Sequence, residues 1–279
     1  MPELPEMQAL AERLDVAVGG AAIEGFEQLS FTGLKTVQPS PDDVVGSRVT
    51  DVSRRGKFVV VTLEAGQRIL VHLSQAGRLD IETPAKQTRP RGGVVRMRFD
   101  NGTAVLVREH GSQRKAGWWL LDPGDDGPLA ALGPEPGDPA FDEFLMTSDT
   151  TRRVHTVLRD QRTLAGVGRG YADDIVNLAR LSPFASMRTL TTEQRSRLVV
   201  AVHTVLDAAL ERERTRTGGL SEPKLGLRFA VHNRMGQPCP QCDTPLLRVS
   251  YESHEIVYCK RCQTNGRTLA DRRMSRLLR

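Results

Sequence analysis

Two cysteine pairs, Cys239-Pro-Gln-Cys242 and Cys259-Lys-Arg-Cys262, contain all four cysteines of the chain. Sixteen residues separate the pairs, a spacing typical of a β-hairpin that holds one metal ion through four thiolates. The alternative is two disulfides. Disulfides are rare in cytoplasmic proteins, and we expect this chain in the cytoplasm. Because four thiolates leave no open coordination position, we expect one structural Zn²⁺ per chain. Zinc ribbons serve many functions, so this site names no reaction.

A glycine-rich stretch, Arg162-Thr-Leu-Ala-Gly-Val-Gly-Arg-Gly-Tyr171, lies between two segments with helical spacing of apolar residues, 153–159 and 171–180. Backbone N–H groups at such a turn can bind phosphate. A dinucleotide-binding fingerprint needs a strand before the glycines, and the preceding helix excludes it. A purely structural helix hairpin remains the alternative. A longer helix is predicted from Thr191, where Gln194 completes a capping box.

The N-terminal part combines one helix with several strands. Apolar residues recur at helical spacing from Pro5 to Val18, after which short β-like runs follow. These runs cover residues 57–63, 68–73, 94–99, 104–107 and 118–121. Their spacing and intervening turn signals predict an antiparallel sandwich or barrel. Prolines and glycines between residues 122 and 142 predict a linker.

Composition and charge bound the class of protein. The chain has 279 residues, of which 39% are hydrophobic and 26% charged, as in a globular protein of one to three domains. We find neither an apolar run long enough for a membrane helix nor a secretory signal, so we expect a cytoplasmic, nucleoid-associated location. The net charge of +5 divides into −6 over residues 1–149, +6 over 150–230 and +5 over 231–279. This segregation favours a polyanionic partner such as nucleic acid.

The first six residues, Met1-Pro-Glu-Leu-Pro-Glu6, carry a candidate nucleophile. A small second residue permits removal of the initiator methionine, which would leave Pro2 with a secondary amine. An α-amino group titrates near ~7.7–8.0, so a fraction is unprotonated at neutral pH. Such an amine can attack an aldehyde-like sugar carbon and form an iminium, while Glu3 and Glu6 can transfer protons. Routine helix initiation is the alternative interpretation of these residues.

Taken together, these features resemble the formamidopyrimidine-DNA glycosylase and endonuclease VIII family of bifunctional DNA repair glycosylases. The resemblance extends over nearly the whole chain, in the family's order and spacing. It rests on Pro2-Glu-Leu-Pro-Glu6, Arg54-Arg-Gly-Lys57, His72-Leu73 with Gly77, Asp160-Gln161 through Gly168, Tyr171-Ala-Asp173, and the cysteine module.

The resemblance implies an α+β multidomain fold and a DNA partner. We expect an N-terminal catalytic β-sandwich domain with an N-terminal helix at 1–122 and a linker at 123–142. A helix–two-turn–helix DNA-binding domain would follow at 143–230, and a zinc-ribbon finger with a basic tail at 231–279. Double-stranded DNA containing a damaged base or an abasic site would lie in the cleft between the lobes. The family also suggests a monomer.

The family's mechanism can be carried over residue by residue. Pro2 would attack C1′ of a damaged nucleotide that has rotated out of the stack. Glu3 would protonate or polarise the sugar ring oxygen, with Glu6 in support. The resulting iminium would acidify the C2′ proton, so that elimination cuts the strand. Lys57 and His72 match positions that hold the phosphates flanking the lesion.

Other expected DNA contacts differ in part from the family pattern. Gly168 and Tyr171 keep the family's residues around the glycine turn. Arg169 stands where the family usually has Asn, and His254 stands where the zinc finger usually has Arg. Arg267, with Arg169, could restore cationic contacts to phosphate.

The residues that fill the gap left by the extruded base also differ. The oxidised-guanine branch of the family typically uses Met, Arg and Phe. Counting back from Trp118 aligns Gln75, Gln113 and Lys115 with these positions. Polar and cationic side chains make poor apolar wedges, so the damaged base that is recognised stays open.

Three functional hypotheses follow. The leading one is a DNA glycosylase with AP lyase activity, because Pro2, Glu3 and Lys57 are retained. A second is a catalytically weak family member that binds DNA lesions or unusual DNA structures without efficient base excision. A third, an unrelated zinc-ribbon binder of nucleic acid, requires the N-terminal and helical matches to be accidental.

Overall fold

The computed structural model of the protein describes residues 1–111, 114–217, 228–251 and 254–270. It divides into unit 1, residues 1–131 with 209–226, and unit 2, residues 132–208 with 227–279. Within the described residues, no helix combines the length and the apolar character that crossing a membrane requires.

Unit 1 is a β-sandwich preceded by a helix. Helix α1 spans Leu4–Val18. Eight strands follow: β1 Ile23–Gln28, β2 Val49–Arg55, β3 Phe58–Leu63, β4 Arg68–His72, β5 Gly77–Glu82, β6 Gly93–Phe99, β7 Ala104–Glu109 and β8 Gly117–Leu121. They form two antiparallel sheets with strand orders β1-β6-β7-β5 and β2-β3-β4-β8. The sequence prediction of an antiparallel sandwich is therefore confirmed.

The core of unit 1 contains α1 and the inward faces of the strands. Met7, Leu10 and Leu14 recur at helical spacing, so they share one buried face of α1. Trp118 on β8 is fully buried and stacks on Phe26 of β1, with ring centroids 5.4 Å apart. Burial of this apolar surface is the main force that holds helix and sheets together.

Unit 2 contains the helices and the cysteine hairpin. Its elements are α2 Pro139–Thr147, α3 Val154–Arg159, α4 Arg169–Leu178, α5 Thr192–Thr215, β9 Leu247–Tyr251, β10 His254–Tyr258 and α6 Lys260–Thr264. The last residues of α5, from Ala209, belong to unit 1. Strands β9 and β10 pair antiparallel, which confirms the predicted hairpin between the two cysteine pairs.

Helix α5 begins at the predicted capping box. The N–H of Gln194 donates to Oγ1 of Thr191 at 3.2 Å, and the N–H of Thr191 donates to Oε1 of Gln194 at 3.0 Å. The buried guanidinium of Arg195 then donates to the carbonyls of Leu145 and Met187 at 2.8 and 2.6 Å. Arg195 thereby ties the first turn of α5 to α2 and to the segment at Met187 inside unit 2.

The structure differs from the sequence prediction where apolar residues do not recur regularly along the chain. Strands β1, β2 and β5 were not predicted, because charged residues and glycine interrupt their apolar alternation. The segment predicted as a linker, 123–142, contains a short 3-10 helix at Gly127–Ala131 and the start of α2. Asp138 caps α2 by accepting from the N–H of Ala140 at 2.9 Å, which explains a helix within a proline-rich stretch.

Candidate functional site

The N-terminus of α1 is held by a capping box between its two glutamates. The N–H of Glu3 donates to Oε2 of Glu6 at 2.7 Å, and the side chain of Glu3 accepts from the backbone of Glu6. Both glutamates are almost completely buried, at 3% and 1% exposure, and Pro2 is buried beside them. The reciprocal bonds fix the backbone at residue 3 and so restrict the position of the Pro2 nitrogen.

Lys57 and His72 lie close together in the same unit. Lys57 occupies the two-residue turn between β2 and β3 and is 5% exposed. His72 ends β4 opposite Phe58, with ring centroids 4.7 Å apart. Burial, and then the charge of Lys57, lower the pKa of His72 to about 4. His72 is therefore neutral at physiological pH and offers a hydrogen bond rather than a charge.

Helix α1 is tied to the hairpin that carries Lys57. Nε of Arg54 on β2 donates to Oε1 of Gln8 at 3.2 Å, and Nη1 of Arg54 donates to the carbonyl of Gly56 at 3.1 Å. Arg54 thus links the first turns of α1 to the residue before Lys57. The sequence-predicted catalytic residues all belong to unit 1, and this bond joins the two elements that carry them.

Two of the three predicted gap-filling residues are on the surface of unit 1. Gln75 follows β4 and Lys115 precedes β8, and both are exposed. The N–H of His110 donates to the carbonyl of Ala76 at 3.1 Å and joins the two loops. Gln113 lies outside the described residues. Gln75 and Lys115 are therefore accessible to a ligand.

The glycine turn of unit 2 presents a cation at a helix start. Gly168 is the N-cap of α4, and Arg169, its first residue, is exposed. The amide of Gln161 holds the turn, since it donates to the carbonyl of Val167 at 2.6 Å and accepts from the N–H of Gly166 at 3.0 Å. The positive charge of Arg169 lies at the N-terminus of α4, where the helix dipole is also positive. The Arg169 side chain and the N–H groups of the turn can therefore bind an anion together.

Tyr171, a predicted DNA contact, lies in the interior of unit 2. Its side chain is 1% exposed, and its ring packs against Phe229 with centroids 5.0 Å apart. A Cβ added at Gly170 would lie 2.2 Å from the Phe229 ring. Tyr171 therefore contributes to the packing of unit 2. The ring of Phe229 can approach α4 this closely because Gly170 has no side chain.

His254 and Arg267 also differ in accessibility. His254 begins β10, is 7% exposed, and stacks on His155 with centroids 6.1 Å apart. Arg267 follows α6 and is exposed. The structure thus places the Arg267 side chain at the surface. The His254 side chain lies in the interior, where its ring packs against that of His155.

Sequence reasoning missed a buried network around Asp173 on α4. Its carboxylate bonds His155 at 2.9 Å and His232 at 2.7 Å, and accepts from the N–H of Val257 at 3.3 Å. Burial raises the pKa of Asp173, but the bonds to the two histidines outweigh it and leave the pKa lowered. The motif Tyr171-Ala-Asp173 was the available signal, because a charged residue on the buried face of a helix needs partners.

The neighbouring Asp174 anchors the segment before the first cysteine. It accepts from the N–H groups of Ala230 and Val231 at 2.8 Å each and from that of His232 at 3.2 Å. Burial nevertheless raises the pKa of Asp174 to about 6. Helix α4 therefore holds this segment through two adjacent carboxylates.

The four cysteines converge on one point. Their Sγ atoms all lie within 4.8 Å of one another, and those of Cys242 and Cys259 are 3.5 Å apart. A tetrahedron with metal–sulfur bonds of ~2.3 Å has sulfur separations of ~3.8 Å, so the arrangement fits a tetrahedral metal ion. Asn177 on α4 directs Nδ2 toward Sγ of Cys239 at 3.7 Å.

The cysteine thiols differ in how readily they ionise. Hydrogen bonding with Thr244 lowers the pKa of Cys242 to about 6, whereas burial and the neighbouring thiols raise the pKa of Cys262. Four crowded thiols therefore cannot all ionise unless a divalent cation offsets their charge.

Comparison with known proteins extends these observations to nearly the whole chain. Residues 1–119 match the model of the formamidopyrimidine-DNA glycosylase N-terminal domain, and residues 132–219 match that of the H2TH domain. The formamidopyrimidine-DNA glycosylase of Symbiobacterium thermophilum is 34% identical over 98% of this chain and 93% of its own length.

Solved structures share the fold. The MutM (Fpg) protein of Thermus thermophilus superposes with a TM-score of 0.77 and 30% identity, covering 94% of this chain and 98% of that one. The Lactococcus lactis Fpg in complex with DNA containing an abasic site has a TM-score of 0.81 and 21% identity, covering 94% and 99%. On the two domain matches and the full-length relatives, the chain belongs to the formamidopyrimidine-DNA glycosylase and endonuclease VIII family.

Proposed function

We propose that the protein is a base-excision DNA glycosylase with AP lyase activity. Its substrate is a damaged base, or an abasic site, in double-stranded DNA. The observation that carries the proposal is the capping box that positions Pro2 beside two buried carboxylates. Its membership of a glycosylase family supports the same activity. A catalytically weak binder is not favoured, because the relatives named as glycosylases align over more than nine-tenths of the chain.

The chemistry begins once Met1 is removed. The secondary amine of Pro2 attacks C1′ as the bond from C1′ to the base breaks, and the base leaves with a proton. The bond from C1′ to the ring oxygen O4′ then breaks, O4′ takes a proton from Glu3, and the nitrogen lone pair forms the C1′=N⁺ bond of an iminium. The iminium withdraws electrons from C2′, which loses a proton. The electron pair of that C–H bond forms a double bond while the C3′–O bond breaks, and the strand is cut on the 3′ side. Glu3 transfers protons in these steps, and Glu6 supports it through their shared hydrogen bonds.

Lys57 and His72 hold phosphates next to the lesion in this proposal. Lys57 supplies the positive charge, and the neutral imidazole of His72 donates one hydrogen bond. In unit 2, phosphate contacts come from the backbone at Gly168 and from the exposed side chains of Arg169 and Arg267. Exposed Gln75 and Lys115 reach the gap that the extruded nucleotide leaves.

The four cysteines hold Zn²⁺ in this proposal, because all-thiolate tetrahedral sites select it. The ion is structural: it connects the two cysteine pairs and keeps the hairpin of β9 and β10 against α4. We further propose that the protein acts as a monomer in the cytoplasm, associated with the nucleoid. Size-exclusion chromatography with light scattering tests the monomer, and fluorescence localisation tests the compartment.

Borohydride trapping on DNA with an abasic site tests the proposed chemistry. The wild-type protein is expected to form a covalent adduct. The Pro2→Gln variant is expected to form none while still binding the DNA, because a large second residue keeps Met1 in place and leaves no free amine at residue 2. Mass spectrometry of the intact proteins must show loss of Met1 in the wild type and its retention in Pro2→Gln. An undiminished adduct in Pro2→Gln, or a mature wild-type protein that retains Met1, contradicts the proposal.

A further inference from the structure

Phe31 is a fully exposed aromatic residue of unit 1. Its relative exposure is 101%, the highest among the exposed large apolar residues of the described part of the chain. It lies in a turn in which the N–H of Gly33 donates to the carbonyl of Ser30 at 3.1 Å. Core packing does not account for this side chain, because its whole surface faces solvent.

The turn is firmly attached to the sandwich. The N–H of Ser30 donates to the carbonyl of Val94 on β6 at 3.1 Å, and the N–H of Trp118 on β8 donates to the carbonyl of Gly33 at 3.0 Å. A Cβ at Gly33 would lie 2.8 Å from Cγ1 of Val94, so the turn also packs closely on β6. Phe31 is therefore held outward by a turn that is bonded on both sides.

A cavity of about 880 Å³ opens beside this turn. Both neighbours of Phe31, Ser30 and Thr32, line it. The charged or titratable residues of its lining are Arg91, Arg108, Glu109, His110 and Arg114. Ligand pockets of roughly 300–1,000 Å³ hold small molecules, so the cavity has room for one nucleotide. An exposed aromatic ring next to a cationic cavity is the combination that binds unpaired nucleotides.

Two arginines that line the cavity, Arg91 and Arg114, provide positive charge. The other charged groups that line it already have partners. Arg108 is paired with Asp80 at 2.7 Å, and the carboxylate of Glu109 accepts from the N–H groups of Lys115 and Ala116 at 3.1 and 3.2 Å. Across the described ranges, neither Arg91 nor Arg114 forms a salt bridge, and both are exposed. Their charges are available to a phosphate.

The cavity adjoins the loops that carry the predicted gap-filling residues. Residues 108–111, with Arg114 and Ala116, line one wall, and exposed Lys115 lies between the last two along the chain. The N–H of His110 donates to the carbonyl of Ala76, which is next to Gln75. If Gln75 and Lys115 enter the gap as in the proposed function, they offer a neighbouring base less apolar surface than an apolar wedge does.

We infer that Phe31 and the cavity beside it form a second subsite, which takes an unpaired deoxynucleotide of DNA. The base stacks on the Phe31 ring, and Arg91 and Arg114 hold its phosphates. The inference rests on the proposed function only in assigning the ligand to DNA. Stacking on an aromatic face tolerates any base, so this subsite contributes affinity without reading sequence.

Fluorescence anisotropy with a labelled twelve-nucleotide oligo(dT) tests the subsite in the full-length protein. We expect Phe31→Ala to weaken binding roughly tenfold, the loss typical of one stacked base, and Phe31→Tyr to restore it. The matched control is Val37→Ala, which truncates another exposed apolar residue of unit 1 that does not line the cavity. Equal affinities of Phe31→Ala and Val37→Ala would overturn the inference.

A second comparison tests the arginines. The double variant Arg91→Gln, Arg114→Gln is expected to lower the slope of log K against log salt by about 1.4, since each contact to single-stranded DNA contributes ~0.7. Lys86→Gln, Arg48→Gln removes two exposed cations that do not line the cavity and serves as control. An equal reduction in both double variants contradicts the assignment of phosphate to Arg91 and Arg114.

A third measurement identifies the source of the nucleotide. A duplex with a tetrahydrofuran abasic analogue carries 2-aminopurine opposite the lesion. A fluorescence change that the wild type shows and Phe31→Ala loses assigns the nucleotide to the opposite strand. If the change is the same in both proteins but oligo(dT) binding still depends on Phe31, the nucleotide comes from another unpaired strand.

The inferred subsite and the proposed chemistry can be disproved independently of each other. Borohydride trapping at saturating DNA depends on Pro2, and its amplitude reports the chemistry and not the affinity of the subsite. Absence of trapping in the wild type would remove the lyase but leave a Phe31-dependent affinity for oligo(dT) intact. Normal trapping with no dependence of binding on Phe31 would remove the subsite alone.

Discussion

The main-chain N–H of Glu3 donates a 2.7 Å hydrogen bond to the carboxylate of Glu6, one turn along α1. Glu6 is buried, so this bond replaces contact with water. A residue that sequence interpretation treats as a proton-transfer group is therefore also a structural cap. The two roles of Glu6 can be separated by Glu6→Gln, because the amide oxygen of glutamine accepts the same hydrogen bond but carries no negative charge.

Replacement of Glu6 tests this cap. Glu6→Ala leaves the buried N–H of Glu3 without its acceptor and is expected to lower the free energy of unfolding by about 1–3 kcal/mol. Glu6→Gln is expected to keep most of it. Urea denaturation measures both, with exposed Glu24→Ala as control. A loss of stability in Glu6→Gln equal to that in Glu6→Ala would show that the charge, rather than the hydrogen bond, stabilises α1.

The low pKa of His72 predicts a pH dependence of stability. In the unfolded chain the imidazole titrates near ~6.5, whereas burial and Lys57 lower its pKa to about 4 in the folded protein. As the pH falls from 6.5 to 4, the unfolded state binds a proton that the folded state does not. The free energy of unfolding therefore decreases over this window, by about 2–3 kcal/mol.

The measurement compares wild type with His72→Gln across that window. The difference in unfolding free energy between them should follow the titration, and NMR should place the imidazole pKa well below 6. A parallel decline in both proteins would assign the effect to other groups.

Gly170→Ala reverses the usual effect of alanine in a helix. Alanine normally stabilises a helix interior by about 1 kcal/mol relative to glycine. Here its Cβ would lie 2.2 Å from the Phe229 ring, so we expect a loss of about 1–3 kcal/mol, as for other overpacked sites. Thermal denaturation of Gly170→Ala, Phe229→Leu and the double variant gives the coupling. Additive effects would contradict a clash between the two residues.

Metal removal is expected to act locally. Treatment with a chelator leaves four crowded thiols without the cation that offsets their charge, so residues 228–251 and 254–264 should exchange amide hydrogens faster. Helix α1 and the strands of unit 1 should be unaffected. Hydrogen exchange with mass spectrometry measures both regions, and metal analysis of the untreated protein should find one zinc per chain. Unchanged exchange near the cysteines after the metal is lost would exclude a structural role.

Arg169→Ala tests the phosphate contact at the start of α4. Loss of one contact is expected to weaken duplex binding at low salt and to lower the salt slope by about 0.9. Arg197→Ala, which removes a partly exposed cation paired with Glu193 on α5, is the control. Identical affinity and slope in wild type and Arg169→Ala would refute the contact.

The strongest sequence predictions concern local order along the chain. Alternating apolar runs predicted the sandwich, Thr191 and Gln194 predicted the start of α5, and the two cysteine pairs predicted a hairpin with a metal site. Each signal is contained within a few turns or one strand pair. Strands β1, β2 and β5 escaped because their neighbours in the sheet, not their own pattern, stabilise them.

Burial could not be read from the sequence for single polar residues. Tyr171 and His254 are predicted DNA contacts, and the structure adds that both side chains lie in the interior. Asp173 finds its partners in segments about 18 and 59 residues away. Phe31 shows the reverse case, an aromatic residue held in solvent by backbone bonds to β6 and β8.

The sequence by itself determined the family, and it placed the sandwich, the helices and the cysteine hairpin in their order along the chain. It also predicted the reactive groups, because all of these depend on residue types at fixed spacing. Only the tertiary structure decided which side chains are accessible and which are charged. The neutral state of His72 arises from burial beside Lys57, and the position of Glu6 arises from a bond to the backbone. Exposure and pKa are set by neighbours that packing brings together from distant parts of the chain.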